Sequence, residues 1–215
     1  MSQDDARLVG YQRGGSAADQ FRYLRSNSEQ ELLVSQGLPP YAELSRRGRG
    51  YQVMDTSATA AVVVRPSTVA GLTLYNGETG ATAKSYIIDR VGAFNLVTTD
   101  AVEAWSIWGC IHPAGMTAPT ADITAIKSYN AGTYGGAAIV DTGATVNDNG
   151  WFILSTFGVV GNSSTTTPGN ALVHDTGGRF IIPPTAGFSI NVVASVVGAT
   201  FTHLISWYEV ELDND

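Results

Sequence analysis

The sequence predicts an all-β protein: a jelly-roll-like antiparallel β-sandwich preceded by an extended N-terminal arm containing short helices. Three observations carry this. Only 14% of the 215 residues are charged and 24 are Gly, against about 25% charged in an ordinary soluble domain. Beyond residue 50, short apolar runs alternate with Gly, Pro and Asn turn signals, and no run keeps the 3.6-residue period of a helix. The last fifth of the chain, Asp175 to Leu212, holds two apolar strands in succession. A chain of this length with roughly eight to ten strands closes most simply as a double sheet, and the jelly roll is a common antiparallel solution. An immunoglobulin-like sandwich is smaller.

The arm comes first and differs from the rest. Residues 1–50 hold seven of the twelve basic residues, all Arg, and six of the nineteen acids, so the arm stands at +1 and residues 51–215 at −8. Ser16 is placed to cap a helix through Leu24. Ser28 and Glu31 form a capping box for a second helix ending near Gly37, before Pro39 and Pro40. Phe21, Leu24 and Leu32 to Val34 are too little apolar surface to bury two helices alone. Exclusive use of Arg suits bidentate and stacked contacts at an interface, so the arm reads as a docking segment ordered by what it lies on. Ordinary solvated charge is the plainer alternative.

From Tyr51 onward the pattern is β. Thr59 to Arg65 is a strand ended by Pro66, and Gly71 to Tyr75 is another, followed by the turn pair Asn76-Gly77. Ala83 to Val97 reads as one long strand or a bent pair. Val102 to Ile111 follows, then shorter candidates at Asp122 to Tyr129 and Ala137 to Val140. Asn149-Gly150 turns the chain into Trp151 to Phe157. Gly161 to Asn170 has the composition of an exposed loop. Phe188, Ile190 and Val192 alternate with Ser189 and Asn191. In the last strand Phe201, His203, Ile205 and Trp207 share one face, while Leu204, Tyr208, Val210 and Leu212 share the other. With both faces apolar, this strand calls for cover on both sides, from a second sheet and from another subunit. No internal repeat is visible.

Motifs for chemistry are sparse. Ala138 to Thr145 resembles the aspartic-protease signature, with Asp141-Thr142-Gly143 after an apolar strand, and Asp175-Thr176-Gly177 repeats it. Paired carboxylates sharing a proton would activate water. About 30 residues between the copies is too short for two pepsin-like lobes, and in a retropepsin-like dimer the second copy is surplus. Both Asp residues are expected instead as turn residues whose carboxylates cap backbone N–H groups. His112, His174 and His203 lack metal-ligand spacing, and Asn147 to Gly150 lacks the closing Glu of a calcium loop. No nucleophile elbow or phosphate loop is present. No catalytic, metal or cofactor site is therefore expected. Trp105, Trp108, Trp151 and Trp207 are expected in the core, and Cys110 as a buried structural thiol, compatible with a reducing compartment. The net charge of −7 argues against nucleic acid as the main partner. An acidic start without an apolar h-region predicts no signal peptide, and no apolar run of about 18 residues predicts a membrane span.

The run Phe180-Ile-Ile-Pro-Pro-Thr-Ala-Gly-Phe-Ser-Ile, ending in Ser206-Trp207-Tyr-Glu209-Val, resembles small structural proteins of tailed bacteriophages. Leu74 to Glu78, Tyr86 to Arg90 and Ala93 to Val97 are similar to the same group, so the resemblance spans residues 60–212 in pattern. It implies a virion protein made in the host cytoplasm: a homotrimeric jelly-roll decoration (cement) protein binding the major capsid protein. The domains would be a docking arm at 1–50 and a sandwich body at 51–215. On the arm, Phe21, Arg22, Tyr23, Leu24, Arg25, Tyr41, Arg46, Arg47 and Arg49 would meet the capsid. Phe201, Ile205, Trp207 and Tyr208 would form the trimer interface. A tail or fibre module binding host glycans would share the sandwich, with exposed aromatics in the loops at 133–136 or 161–170. The aspartic protease is the remote third reading.

Overall fold

The computed structural model describes residues 41–97, 103–160, 171–195 and 198–211, together with the strands Val9–Tyr11 (β1) and Phe21–Tyr23 (β2). The chain divides into two compact units, Met1–Ala42 and Glu43–Asp215. In the first, β1 and β2 pair antiparallel, with Val9 opposite Tyr23 and Tyr11 opposite Phe21. The helix expected from Ser16 to Leu24 thus gives way to strand over Phe21–Tyr23. Phe and Tyr favour an extended backbone, and a short helix with so little apolar surface has nothing to hold it. The second expected helix, together with Leu24 and Arg25, lies outside the described residues.

A short helix, α1 (Ala42–Arg46), starts at the last residue of the first unit, and eleven strands follow in the second. These are β3 (Gly50–Met54), β4 (Thr59–Ala60), β5 (Leu72–Asn76), β6 (Ser85–Val97), β7 (Glu103–His112), β8 (Lys127–Ser128), β9 (Ala138–Thr142), β10 (Phe152–Val160), β11 (Ala171–Ile182), β12 (Gly187–Ala194) and β13 (Thr200–Val210). They form two antiparallel sheets. The front sheet has the order β10-β7-β12-β5-β9; the back sheet has the order β11-β6-β13-β3-β8, with β4 attached to β13. This is an all-β sandwich.

The core lies between the sheets. β13 is central in the back sheet and turns Phe201, Ile205 and Trp207 inward to zero exposure. Tyr86, Ile88 and Val91 of β6 and Val53 of β3 lie beside them, facing Leu72, Leu74, Ile107, Phe188, Ile190 and Val192 of the front sheet. Full burial of each large aliphatic or aromatic side chain is worth about 1.5–3 kcal/mol. A smaller cluster lies on the outer side of the front sheet. There Trp108 and Cys110, alternating with Ile107, meet Ala70, Ala144, Val146 and Trp151. Cys110 is buried, and Trp105, Trp151 and Trp207 are 2%, 5% and 0% exposed.

Two local signals are used differently from a simple reading. Asn76-Gly77 does not close a hairpin: β5 belongs to the front sheet and β6 to the back, so the pair forms a corner between sheets. Asn76 is fully buried there, and its side-chain amide donates to the carbonyls of Lys84 and Ile182 at 2.8 and 2.9 Å. A Cβ at Gly77 would stand 2.4 Å from the Ala137 carbonyl oxygen, so only glycine fits. Thr59 to Arg65 is strand only over β4, after which Val62 bridges to Val193 and Val63 and Val64 face solvent. Asp122 to Tyr129 likewise reduces to β8 and the bridge from Ile123 to Val140. The loop expected at 161–170 lies outside the described residues.

Candidate functional site

The feature that sets this molecule apart is the outer face of the back sheet. Residues directly paired across an antiparallel ladder share a face, and alternate residues along a strand change face. Leu204 pairs with Met54 on one side and Gly92 on the other, and Gly92 pairs with Val173. These four make one apolar row across β3, β13, β6 and β11. Phe94 forms a second row with Thr202 and Ala171, and Ile87 a third with Tyr208 and Ile181. Met54 is 42% exposed, Val173 45%, Leu96 45% and Ile181 48%. One polar row crosses between them: Gln52, Ser206, Arg90 and Asp175, with Arg90 Nε donating to Asp175 at 2.5 Å. Isolated surface hydrophobes are ordinary, whereas these lie in rows that together run over four strands.

The residues expected to join subunits are only partly on that face. Phe201, Ile205 and Trp207 are consumed by the chain's own core, with no surface left for a neighbour. Tyr208 does point outward, yet it is 7% exposed beneath Tyr129, whose ring lies 6.1 Å away. The inner face of β13 meets the front sheet, which leaves Leu204 and its alternate neighbours on the outer side.

Among the arginines assigned to the capsid, Arg46 and Arg47 both bond Glu43, at 2.7 and 2.6 Å, clasping the first turn of α1. Their guanidinium groups hold the Glu43 carboxyl at about 2, well below the usual carboxylate range. Arg49 approaches Glu211 at 3.6 Å. Tyr41 is 37% exposed with a left-handed backbone, φ 64°. Residues 43–50 also belong to the body: the Gly48 carbonyl accepts from Tyr51 Oη, and the Arg49 carbonyl from Glu209 N at 2.9 Å.

The two Asp-Thr-Gly motifs are not brought together. Asp141 lies on β9, an edge of the front sheet, and Asp175 on β11, an edge of the back sheet. Both lie within strands rather than turns, and among the described residues neither carboxylate accepts from a backbone N–H. Asp175 pairs with Arg90 where Thr176 to Arg179 bulge out of register opposite β6, with Gly177 and Gly178 left-handed at φ 62° and 71°. Beside Asp141, it is the Asp122 carboxylate that accepts from Thr142 N at 3.0 Å. Burial, and then the Asp122 charge, raise the Asp141 carboxyl above its ordinary value.

Three polar clusters escaped the sequence, because their members lie far apart in the chain. In the first, Ser189 and His112 Nε2 are 2.8 Å apart, His112 Nδ1 and Asn149 Oδ1 2.9 Å, and Ser189 and Thr73 2.9 Å. A carboxamide oxygen only accepts, so Nδ1 carries the ring proton and the Ser189 hydroxyl donates to Nε2. The order is that of nucleophile, base and orienter. The Ser189 hydroxyl is nonetheless sealed, with Ser189 and Thr73 at 0% exposure and His112 at 1%. Burial pushes the His112 pKa down, against the opposing bond to Asn149.

In the second cluster, buried Asp55 accepts from His203 N at 2.9 Å and from His203 Nδ1 at 2.8 Å. The imidazole is thereby fixed against Gly71, where a Cβ would stand 2.5 Å from Nε2. In the third, Glu209, 1% exposed, accepts from Lys84 at 3.1 Å and from the Tyr134 hydroxyl at 3.0 Å. Burial works against the Lys84 charge, but the bond to Glu209 and the nearby acids outweigh it and raise the Lys84 pKa. Burial above all raises the phenols of Tyr86 and Tyr134.

Tyr134 also packs edge-on against Tyr51 with ring centroids 4.8 Å apart. The one aromatic of the loop at 133–136 is thus turned inward rather than offered to a glycan, and the loop at 161–170 lies outside the described residues. Among the described residues, no group of three or more His, Cys, Asp or Glu is placed to hold a metal ion. No described helix is long and apolar enough to cross a membrane. No family model, curated protein or solved structure matches the chain.

Proposed function

We propose that this chain is a structural component of a tailed-phage particle: a jelly-roll decoration (cement) protein that acts as a homotrimer on the major-capsid lattice. The strand order is the observation that carries the reading. Taking β3, β5, β6, β7, β10, β11, β12 and β13 as strands one to eight, the antiparallel neighbours include one with eight, two with seven, three with six and four with five. That nesting is what a long antiparallel ribbon makes when rolled into two sheets, the jelly roll found in capsid and lectin domains. β8 and β9 then extend one edge of each sheet.

The outer face of the back sheet fits an assembling protein, because an apolar face over four strands is stabilised only when something covers it. The sealed Ser189 hydroxyl and the separated Asp141 and Asp175 favour a structural role over a catalytic one. The first unit, with Arg22 and the other arginines of the arm, is the lattice-docking segment in this reading. Quantitative mass spectrometry of separated heads and tails tests the proposal. The chain is expected in heads, in fixed ratio to the major capsid protein. Recovery only with tails would favour the glycan-binding fibre module, and absence from both would overturn the virion assignment.

A further inference from the structure

The outer face of the back sheet differs from the rest of the molecule in charge as well as polarity. The chain carries −7 overall, and residues 51–215 hold only five basic side chains: Arg65, Lys84, Arg90, Lys127 and Arg179. Three of the five lie on this sheet, Arg90 on β6, Lys127 on β8 and Arg179 on β11. Lys127 pairs with the outward Gln52 and is exposed, as is Arg179. Among the described residues, neither has a carboxylate within ion-pair distance, whereas Arg65, Lys84 and Arg90 each do. The face is therefore apolar, and it carries two cations outside any ion pair, Lys127 and Arg179, against one such carboxylate, Asp89, which lies close to Arg90.

A complementary surface lies elsewhere on the same chain. β9 is the edge strand of the front sheet, and the segment at Asp122 and Ile123 bonds to it through the Val140 carbonyl. Asp122 and Asp141 are close enough there for the charge of one to disfavour ionisation of the other. Among the described residues, no cation pairs with either. The acidic edge and the apolar face with its two unpaired cations lie on one chain, and between copies one can be set against the other. An edge set on a face is a head-to-tail contact, which gives a ring where its rotation closes and a filament where it does not, rather than a two-fold dimer.

We infer that the outer face of the back sheet is the surface through which copies of this chain join, and that it receives the acidic Asp122–Asp141 edge of the next copy. The inference rests on the assembly reading above and names its contact. Apolar rows supply the burial, while Lys127 and Asp141 set orientation and rate of encounter.

Light scattering of the full-length chain over a micromolar range tests it, with Val173→Glu, Met54→Glu, Lys127→Glu, Asp141→Lys and the double variant Lys127→Glu/Asp141→Lys. All four sites are at least partly exposed, and circular dichroism with thermal melting identifies any variant that fails to fold. Wild type is expected as a trimer. Each folded single variant should raise the concentration for half-assembly roughly tenfold or more, the scale expected when a close charge pair is reversed. The double variant should return most of the way, because each subunit then carries both reversed halves. Trimers unchanged in the folded single variants would show that the contact lies elsewhere while leaving the assembly reading intact. Single variants that weaken assembly without rescue in the double would remove the acidic edge as partner and overturn the inference. A wild type that is monomeric throughout would instead overturn the assembly reading itself.

Discussion

Replacing Lys84 by Met should destabilise the body through a residue it leaves untouched, Glu209. That side chain is 1% exposed, at the inward end of β13 one alternation beyond Trp207, and Lys84 is 3.1 Å from its Oε2. Two unit charges at that distance attract by about 5 kcal/mol at an effective dielectric near 20. Part of this is already offset by burying the pair, and Lys84 retains 28% of its exposure, so the net loss should be about 3 kcal/mol. The Tyr134 hydroxyl remains as a donor to Oε1 but brings no charge. Urea unfolding at pH 8 should show the loss. Lys84→Met/Glu209→Gln should recover most of the stability, since Gln still accepts from Tyr134. A Lys84→Met chain within about 1 kcal/mol of wild type at pH 8 would refute the reasoning, because breaking a buried pair should cost more.

Gly71→Ala should lower stability by about 1–3 kcal/mol, measured by thermal melting, because the new Cβ meets an imidazole that Asp55 prevents from turning away. Stability should also fall as pH drops below about 6.5. His112 has its pKa lowered, chiefly by burial, so below the ordinary histidine value the unfolded chain binds the extra proton and the folded chain does not. Urea unfolding between pH 7 and 5.5 should show this slope, and His112→Gln should flatten it. A chain shortened to begin at Glu43 should keep the melting temperature of the body while binding capsids more weakly. Equal binding by both lengths would remove the arm as the anchor.

Alternation along β13 named its two faces from sequence alone, because a period of two is intrinsic to a strand. Which face met the other sheet was not written in that period. Phe201, Ile205 and Trp207 were therefore assigned to a neighbouring subunit, although the chain's own front sheet covers them. The bulge at Thr176 to Arg179 was legible only as a Gly-Gly pair, since its register depends on β6. Asn76-Gly77 reads only as a turn, because the local signal cannot tell a turn within a sheet from a corner between sheets. The polar clusters were invisible for a related reason. Asp55 and His203 are 148 residues apart, and Lys84 and Glu209 125, so only the closed sandwich brings them into contact. Arg46 and Arg47 were read as free for a partner, while Glu43, three and four residues away, had the helical spacing to claim both.

The central claim, a protein that stabilises a capsid lattice, meets its most direct measurement when purified full-length chain is added to capsids assembled without it and binding is followed by sedimentation. Saturable uptake as trimers, with capsids that then withstand higher temperature, is the predicted result. A chain that stays in the supernatant at saturating concentration and leaves the capsids' heat resistance unchanged would contradict the account.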